Sequence, residues 1–65
     1  MEKEQFVKCM TYLGIAYNKE YSKFEVEQHY EFLKEYSYDE LKKAIKGIIK
    51  KSKFLPKINE LIEEC

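Results

Sequence analysis

Apolar residues return every three or four positions through almost the whole chain, and nowhere do they alternate as a half-buried strand requires. From Phe6 the series Phe6, Met10, Leu13 and Tyr17, with Cys9 and Ala16 alongside, marks one face of a helix over residues 3–18 and leaves Ile15 on the far side. A second helix over 23–36 turns Val26, His29, Tyr30, Leu33 and Tyr36 inward and Glu27, Gln28, Glu31, Lys34 and Glu35 outward. A third over 38–51 is strongly amphipathic. Leu41, Ala44, Ile45, Ile48 and Ile49 form its apolar stripe, and Lys42, Lys43, Lys46 and Lys50 fill an arc of about 100° opposite. Pro56 suits the first turn of a fourth helix over 56–64, where a missing N–H costs nothing, and Ile58, Leu61 and Ile62 give that helix a short apolar edge. A helix this short has to dock on the others, through those side chains and Phe54.

Two of the boundaries are written out locally. Ser22-Lys-Phe-Glu25 and Ser37-Tyr-Asp-Glu40 carry the Ser-x-x-Glu spacing in which each side chain satisfies an otherwise unpaired amide at a helix start. Tyr21 and Val26 flank the first, and Tyr36 and Leu41 the second, at the positions where an apolar pair clamps the entering chain. Gly14 and Gly47 fall inside helices at a cost of about 1 kcal/mol each relative to Ala. Close helix approach and simple tolerance both account for them. There is no linker, repeat or low-complexity tract, so the expected fold class is all-α: a compact bundle of three to four short helices in a single domain over residues 1–65.

Length changes the picture by limiting the core. A chain of 65 residues hides only about 60% of the surface its unfolded form exposes. Cys9 and Cys65 are the only cysteines, and no metal-ligand spacing surrounds them, so stability has to come from helix packing. With 45% hydrophobic residues, two Gly and one Pro, the composition suits that and argues against disorder. Met1 is followed by charged residues without the apolar stretch of a secretion signal, and no apolar run nears the ~20 residues of a membrane span. The expectation is a cytoplasmic protein with reduced thiols and no membrane contact.

Net charge is zero, from 12 Lys and 12 acids, but the charge is sorted into blocks. Residues 1–41 carry five Lys against nine acids, residues 42–57 carry seven Lys and no acid, and residues 58–65 carry three Glu. Three causes compete for the lysine block: the favourable field at a helix C-terminus, a surface for an acidic protein, and contact with nucleic-acid phosphates. The chain has no Arg, which removes the bidentate guanine readout that dominates specific DNA contacts. Aromatic content is 15%, high for so thin a core, and Tyr12, Phe24, Tyr38 and Ile15 are expected to face solvent because they lie off the stripes. If such rings cluster with the lysines they form an interaction surface, since Tyr is enriched at binding hot spots. The candidate partner-binding set is therefore Lys42, Lys43, Lys46, Lys50, Lys53, Lys57, Tyr12 and Tyr38.

Catalytic signatures are missing: no Gly-rich phosphate loop, no Gly-x-Ser-x-Gly, no His-Glu-x-x-His, and no paired His or Cys to hold a metal. His29, the sole histidine, reads as a packed, hydrogen-bonded core residue, Cys9 as a small apolar core residue, and Cys65 as an exposed thiol. The pairs Glu27/Glu31 and Glu31/Glu35 read as a solvated face, because acid–base work needs a cleft that shifts their pKa values. A non-enzymatic binding module without cofactor or metal is expected.

The stretch His29-Tyr-Glu-Phe-Leu-Lys-Glu-Tyr36, then Tyr38-Asp-Glu-Leu-Lys-Lys-Ala44, and Ser52-Lys-Phe-Leu-Pro-Lys-Ile58 with Glu60 resemble the helical domain of bacteriophage replicative-helicase loader and inhibitor proteins. In that family an aromatic-Leu stretch leads into a helix with a Tyr/Asp start and a central Ala, followed by a Phe-Pro-Pro-Thr-Ile-like turn. His29, Leu55 and Lys57 depart from it, standing where Trp, a first Pro and Thr are common. The resemblance implies a non-catalytic role in phage DNA replication, binding a hexameric helicase and helping deliver it to an origin-bound protein. It also implies a flexible tail beyond this domain that contacts the helicase. With the chain given as far as Cys65, the expectation divides between a missing helicase-binding element and a domain adapted to another target. Beside a helicase, loader or origin protein as partner stand a nucleic-acid module using Lys42–Lys57, a phage inhibitor of a host replication or defence enzyme, and a homodimer.

Overall fold

Ser22 and Ser37 each cap a helix as their spacing requires. Ser22 Oγ accepts from the Glu25 N–H (3.1 Å) while Glu25 Oε1 accepts from the Ser22 N–H (2.8 Å). Ser37 and Glu40 repeat the exchange at 3.1 and 2.9 Å. Gln5 and Glu60 do half of this at the other two starts, accepting from the N–H of Glu2 (3.0 Å) and Lys57 (2.8 Å). The computed structural model describes residues 1–65 and contains α1 (Lys3–Tyr17), α2 (Lys23–Leu33), α3 (Tyr38–Lys51) and α4 (Ile58–Glu64). The chain is all-α, with its four helices in one small domain.

α1 packs against α2 and α3, and α4 against the same two, so α2 and α3 occupy opposite corners of the bundle. The core between them is Phe6, Cys9, Met10, Leu13, Leu33, Leu41, Ile45, Ile48 and Leu61. Phe6 meets the Tyr30 ring edge-on at 5.1 Å between centroids. Tyr17 ties α1 to the end of α3 by donating its hydroxyl to the Ser52 carbonyl at 2.8 Å. His29 is buried, with Nδ1 donating to the Glu25 carbonyl at 2.7 Å and its ring edge-on to Tyr21. Ion pairs Lys3–Glu27, Lys19–Glu25 and Lys51–Glu64 fasten neighbouring elements at the surface, where such pairs contribute about 0–1 kcal/mol each.

Several expectations need correction. α1 ends at Tyr17 because Asn18 takes the left-handed conformation (φ 55°), a stop that Asn tolerates better than most residues. α2 ends at Leu33, short of residue 36, and Tyr36 lies in the connection. The reason is local: Ser37 has to be extended (φ −77°, ψ 161°) to cap α3, so the chain leaves α2 a few residues earlier to turn. α4 begins at Ile58, and Pro56 is not in its first turn. Lys57 is the cap residue and Pro56 precedes it, buried. Phe54 does not dock α4, being 80% exposed. Ser52 folds the chain there by accepting from the Phe54 N–H and donating to the Phe54 carbonyl, which leaves Leu55 to pack on the core. Ala16 is exposed, and Tyr38 is half-buried and packed on the core instead of facing solvent.

Gly14 is required where it stands. The Lys19 N–H donates to the Gly14 carbonyl (2.7 Å) in the turn that closes α1, and a Cβ on residue 14 would sit 2.4 Å from the Lys19 carbonyl oxygen. Gly14→Ala gains about 1 kcal/mol of helix propensity but forces apart a backbone contact, a distortion costing about 1–3 kcal/mol or more. The expected outcome is a net loss of about 1–2 kcal/mol and a thermal midpoint roughly 5–10 °C lower. An unchanged or raised midpoint would show that this turn yields freely.

Glu25 carries the pH dependence. Hydrogen bonds from the Ser22 backbone and the Lys19 ammonium hold its carboxyl at about 2, below the ordinary 4.5. Because the folded value is depressed, the stabilisation is complete above the unfolded value and is lost as pH falls through about 2. Glu25→Gln keeps an oxygen for the Ser22 N–H but cannot ionise. Its thermal midpoint is expected to fall at neutral pH and to change less than that of the parent chain between pH ~5 and ~2. Parallel pH profiles for the two proteins would contradict this assignment.

Candidate functional site

α1 and α3 lie side by side with a cleft between their outer edges. The helical period places Lys8 and Tyr12 one turn apart on the α1 edge, and Tyr38, Lys42 and Lys46 one turn apart on the α3 edge. These five side chains wall a cleft of about 380 Å³, at the lower end of ligand-sized clefts, and Cys9 and Ile45 form its floor. No acidic residue lines it.

Each wall has a structural cause. Tyr38 is the first residue of α3, fixed by the Ser37 cap, and it packs on the core along one edge. The Lys42 ammonium lies 5.0 Å from the centroid of the Tyr38 ring, a cation–π contact that holds both at the rim. Tyr12 is 48% exposed and Lys8 and Lys46 are exposed, so their heads are open to a partner. None of the three lysines is in an ion pair, since the molecule's ion pairs use Lys3, Lys19 and Lys51. Burial pushes the Cys9 thiol above its ordinary value, and the nearby Lys42 charge pulls it only part of the way back. It is a poor nucleophile.

The fold divides the candidate residues. Tyr12, Tyr38, Lys42 and Lys46 come together in this cleft. Lys43, Lys50 and Lys53 are exposed but outside it, and Lys57 borders a different depression, with Lys19, His29 and Asn59. Lys8 is the residue that the sequence reading missed. It belongs to no lysine block, and the one signal for it was its four-residue spacing to Tyr12 on the flank of α1 next to Cys9.

The wider field reinforces the cleft. Glu27, Gln28, Glu31, Lys34 and Glu35 are exposed on the α2 side of the bundle, at the corner opposite α3. A chain of zero net charge is thus polarised, with an acidic α2 corner and a basic α3 corner. No helix is long and apolar enough to cross a membrane.

Comparison with known proteins adds the family. No curated protein and no solved structure matches the chain. The family model for the N-terminal domain of a phage helicase loader and inhibitor protein matches residues 1–62, which takes in all four helix starts, both serine caps and both edges of the cleft. The chain therefore belongs to the family defined by the N-terminal domain of that phage helicase loader and inhibitor.

Proposed function

We propose that this protein is a non-catalytic accessory factor of phage-type DNA replication that binds and regulates a replicative helicase, a helicase loader or an origin protein. The binding surface is the basic side of α3 together with the α1 edge beside it: Tyr12, Tyr38, Lys42 and Lys46, joined by Lys8, with Lys43, Lys50, Lys53 and Lys57 extending the positive field. The observation that carries the reading is the acid-free cleft that gathers two tyrosines and three unpaired lysines in a chain of this family. Aromatic rings supply contact area at low entropic cost, and the unpaired lysines steer an acidic partner into register.

Nucleic acid is the weaker occupant of this surface. Without Arg there is no bidentate base or phosphate fork, and the acidic α2 corner opposes any polyanion that wraps beyond α3. Capture on the immobilised chain from a phage-infected host lysate, followed by mass spectrometry, tests the proposal. A replicative helicase, its loader or an origin protein is the expected catch. Recovery of none of these would overturn it.

A further inference from the structure

We infer that the α1–α3 cleft takes an acidic peptide segment bearing one large apolar side chain. The apolar group seats over Cys9 and Ile45 between the two tyrosines, and carboxylates on either side of it meet Lys8, Lys42 and Lys46. This deepens the proposed function, resting on it for the setting and on the cleft's chemistry for the ligand.

The lining specifies both halves of that ligand. Cys9 and Ile45 are 4% and 1% exposed and offer carbon and sulfur at the base, so nothing there satisfies a polar group. Tyr12 and Tyr38 present ring faces and edges above that base, and the lysine stems extend the apolar wall while their ammonium groups stay in water. Three like charges crowd one small opening with no carboxylate among its lining residues, although the chain as a whole has as many acids as lysines. Bringing carboxylates to that opening relieves the repulsion. The chain's own exposed acids on α2 sit at the far corner. The lysines also border a recess instead of forming a track along one helix, which suits a short segment inserting a side chain better than a nucleic-acid backbone lying across the surface.

The test uses the full chain, isotope-labelled, titrated at low salt with a synthetic peptide holding one phenylalanine between glutamates and watched through backbone amide shifts. Saturable shifts confined to Lys8–Tyr12 and Tyr38–Lys46 are expected. Lys8→Glu with Lys46→Glu should weaken binding about tenfold or more, as should Tyr12→Ala. Lys50→Glu with Lys53→Glu should stay within about twofold, because those lysines lie outside the cleft. All five positions are exposed, so the variants are expected to fold, and circular dichroism checks this. Peptides with alanine for phenylalanine, or glutamine for glutamate, should each lose most of the binding.

No saturable binding up to ~1 mM, or equal weakening by both lysine pairs, would overturn the inference. So would oligothymidylate binding to the same amides more tightly than the peptide, which would assign the cleft to nucleic acid. The two readings fail separately. A captured replication protein indifferent to Lys8→Glu with Lys46→Glu overturns the cleft inference alone. Peptide binding in the cleft with no replication protein captured overturns the proposed function alone.

Discussion

Phe6→Ala is expected to lower the stability of the domain by about 3–5 kcal/mol, the range for emptying a fully buried aromatic site. Phe6 is 0% exposed, and it gives α1 an edge-on contact with Tyr30 of α2 that adds about 0.5–1.5 kcal/mol beyond area burial. A chain of 65 residues has roughly 3–10 kcal/mol in total, so this single change removes a large share of it. Urea denaturation followed by circular dichroism should show the midpoint falling by about half or more, with an unchanged slope. A loss under ~1.5 kcal/mol would mean that neighbouring side chains collapse into the gap and that the core is looser than the packing described above.

Leu61→Ala should cost about 2–4 kcal/mol and act on one element more than the rest. Leu61 is the only buried residue of α4, a helix of seven residues, and isolated helices under ~12 residues are marginal in water. Its other attachments are weak: half-buried Ile62, and an ion pair from Glu64 to Lys51 at the surface. Amide exchange in α4 is therefore expected to lose protection first, with α1 and α3 following only as global stability falls. Uniform loss of protection across all four helices would show that α4 is integral to a single cooperative unit.

Helix starts were legible in the sequence because capping is a local event between residues three apart. Ser22 with Glu25 and Ser37 with Glu40 mark their boundaries without reference to the rest of the fold. Helix ends were less so. Tyr36 continues the apolar spacing of Leu33, and the pattern alone cannot show that the extended backbone at Ser37 forces the chain out of α2 before Tyr36 is reached. Phe54 misled for a related reason: hydrophobicity marks what gains from burial, but the turn set by Ser52 decides that Leu55 and Pro56 go inward and Phe54 stays out.

The candidate site was half legible. Tyr12, Tyr38, Lys42 and Lys46 followed from helical phase, since each lies off the apolar stripe of its own helix. Their meeting depends on which edge of α1 faces α3, a tertiary fact that also brings in Lys8. The same fact removes Lys43, Lys50, Lys53 and Lys57 from the cleft, because a lysine run of sixteen residues along the chain wraps around α3 and past its end. Adjacency in sequence overstated the extent of one surface.

The most direct test of the central claim is a binding titration with purified cognate replicative helicase, helicase loader and origin protein, using the parent chain and the Lys8→Glu/Lys46→Glu variant side by side. The account predicts saturable binding of the parent chain to at least one of the three, weakened about tenfold or more in the variant. Absence of binding to all three by the correctly folded parent chain would contradict it.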